Sequence, residues 1–135
     1  MDTDAEAAMR HGFKLLTGVL CLLAATGGAG AAERRLSGEE VIAALSGNTA
    51  RGLPPGPEYL QFFDPTGATV YSAPGRQPDR GLWRVDGSGD YCSQWRDGAW
   101  SCYQVYRDGE TLTWVAPESG TRYPATIVPG KATDF

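Results

Sequence analysis

The stretch Gly81 to Pro117, GLWRVDGSGDYCSQWRDGAWSCYQVYRDGETLTWVAP, constrains this chain most. It reads as short strands joined by tight turns, with two cysteines inside. Arg96-Asp97-Gly98 and Arg107-Asp108-Gly109 repeat one turn pattern. Glycine adopts positive φ without steric cost, so each suits a three-residue hairpin loop with its glycine in the left-handed region. The first loop then sets Trp95 against Ala99 and Cys92 directly opposite Cys102, within reach of a disulfide. The second sets Tyr106 against Glu110 and Trp114 beside Cys102. Asp86-Gly87-Ser88-Gly89 closes with Val85 near Asp90, which sets Trp83 beside Cys92.

Side chains alternate along a strand, so this register predicts two faces. Trp83, Val85, Cys92, Trp100, Cys102, Leu112 and Trp114 form the expected core face. Leu82, Arg84, Tyr91, Ser93, Ser101, Tyr103, Thr111 and Thr113 form the other, with Trp95, Val105 and Val115 in the same phase. Arg84, Tyr91, Trp95, Ser101 and Tyr103 are the candidate binding face, because tyrosine and arginine offer contact area with polar ends. The tryptophans could stack on sugars or single-stranded nucleic acid. Burial is the expectation for Trp83, Trp100 and Trp114, and exposure for Trp95.

Residues 1–32 read as an export signal. Leu15 to Ala25 is an apolar run of signal length, too short to span a bilayer, preceded by Arg10, His11 and Lys14. Met9 is an alternative start to Met1. Cys21 lies inside this segment, and Leu20 before it does not suit a lipoprotein signal. Gly27, Gly28 and Gly30 do not make a dinucleotide-binding turn, since the next required glycine is Glu33. Two cysteines then remain in an oxidising compartment, periplasmic or secreted, and read as one disulfide. No membrane span remains after signal removal.

Residues 33–57 read as a helix and a proline-rich link. Ser37 and Glu40 form a capping box, Val41, Ile42 and Leu45 give the apolar side, and Gly47-Asn48 ends it. Arg51 to Pro57 is expected to cross the surface without joining a ladder. Residues 58–135 read as an antiparallel β domain. Asp64-Pro65-Thr66-Gly67 turns one hairpin, with Leu60, Phe62 and Val70 as candidate core residues. Thr121 to Val128 is the last strand, where Pro124 points to an edge or a bulge. The fold expected is mainly β: about six antiparallel strands, as a meander or a partly closed barrel, with one N-terminal helix.

The residue types exclude much chemistry. The one histidine, His11, lies in the signal. Its loss removes Ser-His-Asp and Cys-His schemes, histidine bases and the common histidine-built zinc sites. A net charge of −4 gives no footprint for nucleic acid. Asp64, Asp86, Asp97 and Asp108 sit in turns beside Gly or Pro, where Asp bonds nearby backbone. Asp86 to Asp90 fails as a calcium loop, with Tyr91 at its sixth position and Asp97 at its twelfth. No catalytic residue, metal ligand or cofactor is assigned.

The phrases FFDPTG (Phe62 to Gly67), GLWRVDGSGDYC (Gly81 to Cys92) and WSCYQVYRDG (Trp100 to Gly109) resemble a family of small exported bacterial proteins of unknown function. The resemblance implies an exported β domain and carries no site residues with it. Size, compartment and disulfide are also similar to those of the bacterial inhibitors of secreted metalloproteases, small periplasmic barrels whose N-terminal segment enters the protease cleft. The reading is a non-catalytic periplasmic or secreted β domain that binds a protein or an envelope component. A secreted-protease inhibitor is the alternative, using Glu33 to Leu36, and a small carboxylate-dependent hydrolase is the third.

Overall fold

The computed structural model describes residues 32–132. The export signal read over residues 1–32, with His11 and Cys21, lies outside the described residues except for Ala32.

Helix α1 (Gly38–Leu45) begins at the capping box. Ser37 Oγ accepts from the Glu40 amide at 3.2 Å, and the Glu40 carboxylate accepts from the Ser37 amide at 3.2 Å. Arg34 donates to the same carboxylate, so one side chain ties the helix start to the strand before it. Val41 and Leu45, one turn apart, are fully buried. Ile42 was expected on this side, but it is 47% exposed, because so short a helix buries only a narrow stripe. Gly47 ends the helix with φ +78° and donates to Phe63 O at 2.7 Å.

Nine strands follow one another among the described residues: β1 (Arg34–Arg35), β2 (Thr49–Gly52), β3 (Leu60–Phe63), β4 (Ala68–Ser72), β5 (Asp79–Val85), β6 (Tyr91–Trp95), β7 (Ser101–Asp108), β8 (Thr111–Val115) and β9 (Arg122–Val128). Consecutive strands from β2 to β9 pair antiparallel, and β9 returns to pair with β2, so eight strands close into a barrel. Closure leaves none of these eight strands at a sheet edge among the described residues. The ninth strand, β1, pairs with the second half of β7, Arg34 against Arg107 and Arg35 against Tyr106. The first half of β7 pairs with β6, so β1 fills the gap that precedes the start of β6.

The strand count expected from sequence is too low. Thr49–Gly52 is a strand that takes in Arg51 and Gly52, the start of the expected surface link; Thr49 and Ala50 are buried and every residue from 49 to 52 has a partner on β9. Glu33 to Leu36 is held as well. Glu33 meets Arg122, Arg35 meets Asp90, and Leu36 is buried with its amide on Val105 O. These four residues are therefore not a free segment of the kind an N-terminal protease plug needs. Pro124 lies inside β9, neither at a sheet edge nor at a bulge. Its carbonyl accepts from Leu53, just past the end of β2, so its missing donor falls where that ladder has run out.

The central register is right at one turn and corrected at two. Cys92 does face Cys102, and the disulfide is formed. The left-handed residue of that turn is Arg96, at φ +54°, in place of Gly98. At the turn before, Val85 pairs with Tyr91 and Trp83 with Ser93. The Asp86 carboxylate accepts from the amides of Ser88 and Asp90 and lengthens that loop by one residue. At the turn after, Tyr106 pairs with Thr113, and Asp108 with Thr111. Gly109, at φ +58°, opens a two-residue loop, and Arg107 and Asp108 stay in the strand. Slips of one and three residues are both odd, and each moves its strand's side chains to the other face.

Trp83 and Trp114 therefore point into the barrel, while the sulfurs and Trp100 lie on its outer wall. The expected cluster of indoles and disulfide on one dry side does not exist. The interior core joins Leu36, Val41 and Leu45 to Ala50, Phe63, Trp83, Tyr91, Val105, Leu112, Trp114 and Ala125. Phe63 is its hub, edge-on to Trp83 and Tyr91 at 5.6 and 5.8 Å and parallel to Trp114 at 6.5 Å. Gly38 sits against Val85, and Gly47 bonds Phe63, so α1 plugs the end where β3 and β5 finish.

Candidate functional site

Among the described residues, no such plug covers the opposite end of the barrel. Here β3, β5, β7 and β9 begin and the other barrel strands end. Side chains of one phase point into the lumen, and at this end the sequence places tyrosine and tryptophan there. Tyr71 faces Gln61 across β3–β4, Tyr103 faces Tyr91 across β6–β7, and Tyr123 faces Trp114 across β8–β9. Tyr59 immediately precedes β3, and Trp95 ends β6.

The rings brace one another. Tyr59 and Tyr71 stack at 4.9 Å, and Tyr71 meets Trp95 edge-on at 6.0 Å. Tyr103 packs on Tyr91 at 6.4 Å and on Tyr123 at 6.2 Å. Two glycines make room for the first group. A Cβ at Gly81 would lie 2.7 Å from the Trp95 ring, and one at Gly52 would lie 2.6 Å from the Tyr59 ring. Each ring thus lies directly on the neighbouring strand's backbone, which fixes it at low entropic cost.

Together these residues line a cup of about 280 Å³, with Gln61, Ser93, Tyr91 and Trp114 deeper than the mouth tyrosines. An eight-stranded barrel is just wide enough to fill with side chains or to hold one small ligand. This one is filled below and open above. The floor is a hydrogen-bonded pair. Gln61 Nε2 donates to the Tyr91 hydroxyl oxygen and to Thr69 Oγ1, both at 3.0 Å. Thr69 in turn donates to Phe62 O.

None of the nine lining side chains is charged at neutral pH. Burial pushes the phenols of Tyr59 and Tyr91 well up, and those of Tyr71 and Tyr103 up as well. The hydroxyls of Tyr59, Tyr71, Tyr103 and Tyr123 have no hydrogen-bond partner among the described residues. No buried polar side-chain atom is left unpaired among those residues, so these four reach solvent. The cup offers apolar ring surface and free donors and acceptors, with no acid or base for proton transfer.

Three further depressions flank the cup at the same end. The largest, about 530 Å³, lies between the 52–58 and 73–78 loops and holds Arg51 and Glu58. One of about 310 Å³ holds Arg76, Asp79 and Arg96, and one of about 450 Å³ runs along Trp100, Ser101 and Glu118. These larger depressions lie beside the barrel mouth; the cup is lined by residues that point into the lumen. None of these four sites brings two carboxylates together, so the carboxylate-pair chemistry weighed from sequence gains no support here.

Of the predicted binding face, Tyr91, Trp95 and Tyr103 line the cup. Ser101 shares their phase and sits at the rim, in the neighbouring depression. Arg84 is separated from them. It pairs with Cys92 and points outward, with its guanidinium 3.9 Å from the Trp100 ring centre. Trp95 is half-buried in the cup wall where exposure was expected. Tyr59, Gln61, Tyr71 and Tyr123 were missed, and Trp114 was assigned to the core alone. Alternation was the available signal, in Tyr59-x-Gln61-x-Phe63 and in Tyr123-x-Ala125-x-Ile127.

Outside the barrel, Asp86 lies beside the disulfide, with Oδ2 3.8 Å from Cys92 Sγ. These three residues have the composition of a small metal cluster, but both sulfurs are spent on each other and neither is a thiolate. No family model, curated protein or solved structure matches this chain.

Proposed function

We propose that this chain is a non-catalytic exported barrel that binds a protein or an envelope component at its open end. The observation that carries this reading is the neutral aromatic cup, whose four free phenol hydroxyls all lie at the end the helix leaves open. Interiors of small barrels are ordinarily filled, and a rigid concave site with a few polar groups is the usual form of a binding pocket. The disulfide supports an oxidising compartment, periplasmic or secreted.

The test compares the mature protein with a Tyr103→Ala/Tyr123→Ala variant in capture from periplasmic and envelope extracts. Both residues are half-buried at the mouth and pack on the edge of the core. The variant is expected to unfold cooperatively and to lose capture. Undiminished capture by a folded variant contradicts the reading.

A further inference from the structure

We infer that the cup takes a neutral saccharide ring, an inference that rests on the open-end reading and gives its ligand class. The argument is one of matching surfaces. The lining carries no charge, so a carboxylate or phosphate entering it would lose its hydration without gaining a partner. An acyl chain needs a long apolar tunnel, and the lumen below Gln61 is already occupied by Phe63, Trp83 and Leu112. A planar heterocyclic base carries its polar atoms along part of its edge. The cup presents polar groups at two depths and on several strands: Gln61 and Ser93 within, Tyr59, Tyr71, Tyr103 and Tyr123 at the mouth. A pyranose has hydroxyls around its whole edge and C–H faces that lie against aromatic rings, so it satisfies both kinds of surface at once. The volume, about 280 Å³, limits the fit to one or two rings.

Trp95 and Trp114 line the cup, so tryptophan emission reports occupancy directly. The mature protein is titrated with cellobiose, maltose and the N-acetylglucosamine disaccharide, and in parallel with decanoate and adenosine. At least one disaccharide is expected to give a saturable change that Trp95→Phe diminishes, and decanoate and adenosine none. Tyr103→Phe keeps the ring and removes one hydroxyl, and it is expected to weaken saccharide binding about two- to tenfold. A ligand held by ring surface alone would not register that loss. Silence toward all three disaccharides overturns the saccharide class, as does saturable binding of decanoate or adenosine in their place, or a Tyr103→Phe variant with unchanged affinity. If the disaccharides fail while Tyr103→Ala/Tyr123→Ala still abolishes envelope capture, the ligand class falls and the open-end site stands. If capture is also indifferent to that variant, both fall.

Discussion

Gln61 and Tyr91, thirty residues apart in sequence, meet inside the barrel, the amide Nε2 donating to the phenol oxygen at 3.0 Å. This contact divides the lumen. Below it the interior is packed apolar side chains and the helix plug; above it lies the cup. Gln61→Leu leaves the buried Tyr91 and Thr69 hydroxyls without their donor, and a loss of about 1–3 kcal/mol is expected in denaturant unfolding. Gln61→Leu/Tyr91→Phe removes both partners of the main bond and is expected to recover part of that loss.

Phe63 touches three aromatic neighbours and is fully buried. Phe63→Ala should cost about 3–5 kcal/mol, from lost transfer energy and the cavity left behind. Total stability of a small domain is about 5–15 kcal/mol, so the variant is expected to be at best marginally folded at room temperature. Leu82→Ala, on the exposed outer wall, is the control and should change the unfolding midpoint little.

The disulfide lies on the outer wall, on the opposite side of the sheet from Trp83 and Trp114. Cys92→Ala/Cys102→Ala should lower stability by about 3 kcal/mol, the chain-entropy figure for so short a loop. Near-ultraviolet circular dichroism of the folded variant should keep the aromatic signal of the wild type. A collapsed aromatic signal in a protein that still unfolds cooperatively would place the sulfurs inside the core.

Stability should fall at both extremes of pH. The Arg34 guanidinium, helped by the Ser37 amide, holds the Glu40 carboxyl down at about 2, below its ordinary 4.5. Its contribution is complete above about pH 4.5 and is lost as pH falls through 2. Thr66 holds Asp64 down as well, so Glu40→Gln should flatten only part of this acid limb. Burial raises the phenols of Tyr59 and Tyr91 above their ordinary 10. Above pH 10 the unfolded chain loses those protons first, and stability falls as pH rises. Tyr91→Phe should soften that alkaline limb, read from chemical denaturation at stepped pH.

Local chemistry was legible in the sequence where a side chain decides it alone. The Ser37–Glu40 cap, the Asp64 turn and the Cys92–Cys102 pairing all formed as read. The faces were not legible, because a loop's length depends on bonds its composition does not reveal. Asp86 bonding both Ser88 and Asp90 adds one residue, and Gly109 opening the next loop shifts the register by three. Each odd slip turned a tryptophan from the disulfide side to the lumen. The cup was half legible. Tyr91, Trp95 and Tyr103 fell in one phase by alternation, but Tyr59 and Tyr123 come to one mouth with them only because β9 closes on β2. That closure joins strands more than seventy residues apart, and no local pattern announces it.

Closure is therefore the point to measure. Leu53 donates to Pro124, so Ala50 with Ile127 and Gly52 with Ala125 are the pairs between hydrogen bonds, whose α-carbons come closest, at about 4.5 Å. Nuclear Overhauser spectra of the labelled protein should show α-proton contacts within both pairs, together with ring contacts between Tyr103 and Tyr123. Hairpin contacts from β3 to β9 with none between β2 and β9 would describe an open sheet without a cup, and would contradict the account.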